Sequence, residues 1–146
     1  MSPERRVRET FRFPIRVYYE DTDAGGVVYY ANYLKYMERA RTEWLASLGY
    51  ELPALERVEG IVFVVHRVEI DYRNPARLGE KLDATLTLVE LNRASMAIEQ
   101  HIVRGSGVLT HARVTLACLD RASWRPRRIP APLRECLERL NRESLP

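Results

Sequence analysis

Three acidic side chains, Glu20, Asp21 and Asp23, fall within four residues, and Gly25-Gly26 and Tyr29-Tyr30 follow at once. Carboxylates at that spacing suit proton transfer, nucleophilic attack or a hard cation. The calcium reading fails on pattern. An EF-hand loop begun at Asp21 would carry Gly25 at its fifth position and Asn32, not glutamate, at its twelfth. The two glycines let the backbone approach a ligand closely. A long amphipathic pattern starts directly after them, and N–H groups at a helix start are unpaired and partially positive. A carboxylate just ahead of such donors shares a pocket with groups able to stabilise an oxyanion. The competing reading is an ordinary solvated turn, since runs of charge usually lie at the surface.

The elements around this stretch follow from periodicity. Tyr30, Tyr33, Met37, Ala40, Trp44 and Leu48 recur at spacings of three and four and share one helical face. Lys35, Glu38, Arg39 and Glu43 fall mostly on the other side, and Gly49 stands where a left-handed C-cap needs glycine. Before the helix, residues 11–19 read as a strand, with Pro14 favouring an edge or a strand start. After it, residues 51–59 read as a short helix or loop around Pro53, and residues 61–72 as a long strand. In that strand Val62, Val64, His66, Val68, Ile70 and Tyr72 share a face, and a core position is the expectation for His66.

Strands over 82–91, 95–104 and 108–119 follow, separated by Asn92-Arg93-Ala94 and Gly105-Ser106-Gly107. Residues 120–132, rich in Arg and Pro, read as irregular, and 133–140 as a short helix presenting Leu133, Leu137 and Leu140. Short connections demand antiparallel neighbours, and one sheet face must cover the long helix. The fold class is therefore α+β, a five-stranded antiparallel sheet wrapped around a central helix.

At 146 residues the chain reads as one domain, 1–146, long enough to bury a core. The polar first ten residues lack an apolar signal segment and read as frayed or wrapped on the surface. No apolar run approaches membrane-spanning length, so the expectation is a cytoplasmic protein without membrane insertion. Two cysteines without CxxC or histidine spacing argue against a disulfide framework and a zinc site, and no metal is expected. Net charge is +3, but arginines are spread among nearly as many acids, and nucleic acid is not expected as a partner. His101 and His111 lie in different strands without ligand spacing, Cys118 reads as core, and no GxSxG motif marks an α/β-hydrolase.

The stretch Val17-Tyr-Tyr-Glu-Asp-Thr-Asp-Ala-Gly-Gly-Val-Val-Tyr-Tyr-Ala-Asn-Tyr33 resembles the signature of the hot-dog-fold acyl-CoA thioesterases. The resemblance is to the branch holding 4-hydroxybenzoyl-CoA thioesterase and the YbgC-type enzymes associated with the Tol–Pal system. It continues through Glu38-Arg-Ala-Arg-Thr-Glu-Trp44 and returns at Tyr72-Arg-Asn-Pro-Ala-Arg-Leu78, covering most of the chain. It implies a hot-dog fold and hydrolysis of a short- to medium-chain or aromatic acyl-CoA to free acid and coenzyme A. No cofactor is implied, because coenzyme A belongs to the substrate. A homodimer or homotetramer is implied, with the active site at the interface.

By that resemblance the catalytic acid is Asp23, and the oxyanion donor is the backbone N–H of Tyr30. YbgC-type sequences often carry histidine at the latter position, where the 4-hydroxybenzoyl-CoA enzyme has tyrosine. The turn at Asn92, Arg93 and Ser95 is where the family places contacts to coenzyme A phosphates; Arg73 and Arg77 are weaker candidates. Asp23 would act as nucleophile, forming a mixed anhydride, or as general base toward water. A non-catalytic acyl-CoA-binding protein would share every one of these residues except Asp23.

Overall fold

The computed structural model describes residues 11–143, so the expectation for the first ten lies outside them. Strands β1 (Phe11–Arg16), β2 (Ile61–Tyr72), β3 (Lys81–Leu91), β4 (Ser95–Arg104) and β5 (Gly107–Asp120) form one sheet in the order β1-β3-β4-β5-β2. Every pairing is antiparallel. Helix α1 (Asn32–Ser47) lies across one face against β1, β3 and β4, and α3 (Ala131–Glu143) lies against β3. Between α1 and β2, α2 (Leu52–Ala54) runs into a five-residue π-type turn that ends at left-handed Gly60. This is the sheet-wrapped helix of the hot-dog fold.

The alternation of apolar residues decides which face meets α1. Leu82, Ala84, Leu86 and Leu88 of β3, Ile98 and Ile102 of β4, and Ala112, Val114 and Leu116 of β5 are buried with Tyr33, Met37, Ala40 and Trp44 of the helix. Burying one such side chain fully contributes about 1.5–3 kcal/mol. The helix presents a wider apolar stripe than the spacing indicated, because Tyr36 and Leu45 are buried as well. Gln100 and Thr110 are buried polar residues on this face, and Gln100 is bonded on both sides of its amide. Its Nε2 donates to the Met37 carbonyl at 3.0 Å, and its Oε1 accepts from Arg41 Nη1 at 3.1 Å.

The C-terminus of α1 is closed by the glycine foreseen for it. Gly49 has φ +97°, its N–H donates to Ala46, and the Tyr50 N–H donates to Leu45, the paired bonds of a Schellman cap. The N-terminus departs from expectation. Ala31 is the N-cap and Asn32 the first helical residue, so Tyr30 stands ahead of the helix and is 62% exposed instead of joining the buried face. Strand β1 likewise stops at Arg16, because Tyr19–Asp21 closes into a 3₁₀ turn.

The faces of β2 also differ from simple alternation. A bulge falls between Val65 and Arg67, leaving His66 without a partner in β5 and reversing the alternation beyond it. Phe63 before the bulge and Val68 and Ile70 after it therefore pack on the core, and His66 is exposed rather than buried.

Candidate active site

Of the three clustered acids, Asp21 serves structure. It is buried, its Oδ2 accepts the Tyr18 N–H at 2.9 Å, and its Oδ1 accepts Asn32 Nδ2 at 2.9 Å. Its backbone carbonyl also takes the Tyr29 N–H at 2.9 Å. One residue thus fastens the end of β1 to the start of α1. The Tyr36 phenol is pushed far up by burial and then by the Asp21 charge. It remains a neutral hydroxyl under the helix.

Asp23 and Glu20 are exposed. Asp23 opens a small hairpin in which Thr22 pairs with Val28, the Asp23 N–H donates to Val27, and the Gly26 N–H returns to the Asp23 carbonyl at 3.0 Å. Gly26, at φ +76°, supplies the left-handed residue that this turn needs. Gly25 brings its N–H to within 2.8 Å of Asp23 Oδ1, and a Cβ there would stand 3.2 Å from that oxygen. The glycine pair therefore orients the carboxylate through one oxygen. The hairpin is seated on the chain after β2 by the Val28 N–H bond to Ala76 and the pairing of Val27 with Arg77.

Tyr30 lies in the turn between this hairpin and α1. Among the described residues no acceptor is paired with its backbone N–H. Its carbonyl accepts the Tyr72 hydroxyl at 3.0 Å, and the two rings meet edge to face with centroids 6.2 Å apart. Burial, then the neighbouring Tyr30 and Tyr33 phenols, push the Tyr72 phenol up, which keeps it a donor at neutral pH. Tyr33 closes the set by accepting the Ala76 N–H at 3.0 Å.

Asp23 and Tyr30 line neighbouring hollows rather than one. The first, about 350 Å³, is formed by Tyr19, Thr22, Asp23, Ala24, Gly26 and Leu78. The second, about 250 Å³, has Val28, Tyr30, Tyr33, Tyr72 and Arg73 among its walls. Gly26 lines the first and Val28 the second, so the two hollows flank one arm of the hairpin.

Asn92, Arg93 and Ser95 stand elsewhere. Arg16 pairs with Lys81 at the start of β3, whereas Leu91 at its end pairs with Met96, so the β3–β4 turn is at the far end of the sheet. Eleven residues of β3 separate the two ends, roughly 33 Å at the usual rise per residue. At that turn Asn92 Nδ2 donates to Ser95 Oγ at 3.2 Å, and the Asn92 carbonyl accepts Arg134 Nη1 at 2.7 Å. Among the cations at the Asp23 end are the weaker sequence candidates: Arg73 on the wall of the Tyr30 hollow, and Arg77 paired by backbone to Val27. Among the described residues, no cluster of three or more His, Cys, Asp or Glu is placed to hold a metal ion.

The sequence profile of the thioesterase-like superfamily matches residues 17–137. The chain belongs to that superfamily. Within it, the chain is 40% identical over 130 residues to the acyl-CoA thioesterase YbgC of Haemophilus influenzae, covering 89% of this chain and 96% of the relative. It is 41% identical over 121 residues to the acyl-CoA thioester hydrolase YbgC of Escherichia coli, covering 82% and 90%. A probable thioesterase from Bartonella henselae superposes with a TM-score of 0.80 at 37% identity, over 84% of this chain and all of that one. The YbgC-type hot-dog assignment thus agrees with the motif, the strand order and the relatives.

Proposed function

We propose that this thioesterase hydrolyses a short- to medium-chain or aromatic acyl-CoA, with Asp23 as the reacting carboxylate and the Tyr30 N–H as oxyanion donor. One observation carries the reading. An exposed carboxylate, oriented by a backbone N–H and followed within a few residues by an unpaired N–H at a helix entrance, is the pair that thioester cleavage needs. As nucleophile, the free oxygen of Asp23 attacks the carbonyl carbon, the C–S bond breaks, and the thiolate of coenzyme A leaves. Water then opens the anhydride and restores the carboxylate. As base, Asp23 takes the proton from the water that attacks directly. A donor such as the Tyr30 N–H is worth about 3 kcal/mol to such a transition state.

Two copies joined through their free β2 edges would cover the long unpaired strand, and this supports the expected dimer. The test is thiol release from short, long and aromatic acyl-CoAs by the natural chain and by Asp23→Asn. The expected result is turnover by the natural chain and a kcat about 100-fold lower or worse in the variant, with substrate still bound. Binding without turnover by the natural chain would make it an acyl-CoA-binding protein instead. Label found in Asp23 after a single turnover in ¹⁸O-water identifies the anhydride route, since direct attack of water on the thioester cannot put it there.

A further inference from the structure

His101 and His111 stand on successive strands, too far apart in the chain to show ligand spacing. The β4–β5 register sets them directly opposite each other, with ring centroids 4.7 Å apart and planes tilted by 37°. Ile102 and Ala112, the residues next to them, belong to the core, so by alternation both rings stand on the sheet face turned away from α1. Each is half-buried. They are the middle of a row that crosses the whole sheet, in which Arg12, Thr85, His101, His111 and Asp71 pair in turn from β1 to β2.

The row also holds the rings. Thr85 is buried, and its Oγ1 accepts the His101 N–H at 3.1 Å. The same oxygen lies 3.5 Å from His101 Nδ1, which leaves Nε2 for a ligand. Among the described residues, no hydrogen bond occupies either nitrogen of His111. Burial, then the His111 and Arg73 charges, lower the His101 pKa against the opposing charge of Glu99, so the ring is neutral at pH 7 and keeps a lone pair. Two imidazoles sharing one ion at metal–nitrogen lengths of about 2.0–2.1 Å, with an angle of about 90–110° at the metal, have centroids roughly 4.5–5.2 Å apart. The observed spacing falls inside that range, so small side-chain rotations close the chelate. Among the described residues no third His, Cys, Asp or Glu completes a closed site, and Asp71 adds negative charge from the neighbouring strand.

We propose that His101 and His111 chelate one divalent transition-metal ion of the zinc, nickel and copper class on the outer face of the sheet, with water in the remaining positions. Ions that favour imidazole are selected over calcium and magnesium, which take oxygen ligands. The two rings meet only while β4 and β5 are paired. The ion therefore binds the folded chain in preference to the unfolded one and clamps two central strands together.

Calorimetric titration of the full chain, first stripped with a chelator, with zinc chloride and calcium chloride at pH 7.5 tests the site. The expected result is one zinc ion per chain and no calcium. Zinc affinity should fall about tenfold or more in His101→Gln and in His111→Gln. It should hold within about twofold in His66→Gln, which removes the third histidine, and in Cys136→Ser, which removes the half-buried thiol. The thermal midpoint should climb with zinc concentration in the natural chain and stay level in His101→Gln. X-ray absorption by the zinc-loaded natural chain reads the ligands without any substitution, and two imidazole nitrogens at about 2.0–2.1 Å are expected. A sulfur neighbour at about 2.3 Å overturns the proposal. So does zinc affinity unchanged in both histidine variants, calcium that binds as tightly as zinc, or no binding at millimolar zinc.

Discussion

Asp21 and Asp23 are two residues apart and do different work. The buried Asp21 accepts from Tyr18 and Asn32, so Asp21→Ala strands both donors and should lower stability by about 2–3 kcal/mol in urea unfolding. Asp23→Asn keeps an oxygen for the Gly25 N–H and should leave stability within about 0.5 kcal/mol while turnover collapses. Tyr72 extends the site by one residue. Its hydroxyl holds the Tyr30 carbonyl, so Tyr72→Phe should lower kcat about five- to tenfold and leave KM nearly unchanged in steady-state assays. The acidic cluster and its glycines were legible in the sequence. Which acid is buried was not, because the partner that decides it, Asn32, lies eleven positions away on a helix whose start periodicity placed two residues early.

The strands and α1 were legible because alternation and a 3.6-residue period are local properties, and the long segments satisfied them. The bulge in β2 was not, since an extra residue in one strand is visible only against its partner; it moved His66 from the core to the surface and exchanged the inward set. The β4–β5 ladder holds a second feature that depends on pairing. His101 and His111 stand opposite each other with ring centroids 4.7 Å apart, and Thr85 Oγ1 lies 3.5 Å from His101 Nδ1. Burial lowers the His101 pKa, the His111 and Arg73 charges act the same way, Glu99 opposes them, and Asp71 of β2 stands opposite His111. A histidine whose folded pKa lies below its unfolded value binds its proton more readily when unfolded. Its contribution is present at neutral pH and is lost as pH falls below about 6.5, toward and through the folded pKa. Urea unfolding at pH 7.5 and 5.5 should show a drop in stability that is smaller in His101→Gln.

For the whole molecule, the register of β3 sets the functional geometry. It sends the Asp23 hairpin to one end of the sheet and the Arg93 turn to the other, a separation no local motif could disclose. With β1 and β2 both at sheet edges, and β2 the longer, light scattering should give at least twice the 17.0 kDa chain mass. A Val65→Asp change, at a half-exposed position on β2, should reduce mass and activity together. The two thiols divide along the same inside–outside line. Cys118 is fully enclosed by the core, which pushes its pKa to about 11, so roughly one in a thousand such thiols is ionised at pH 8, whereas Cys136 on α3 is half-buried. In a disulfide-reagent assay of coenzyme A release, the protein will therefore consume one equivalent of dye early, through Cys136. The second equivalent appears only as fast as the core opens. The trace that measures catalysis also carries, in its slow tail, the lifetime of the native state.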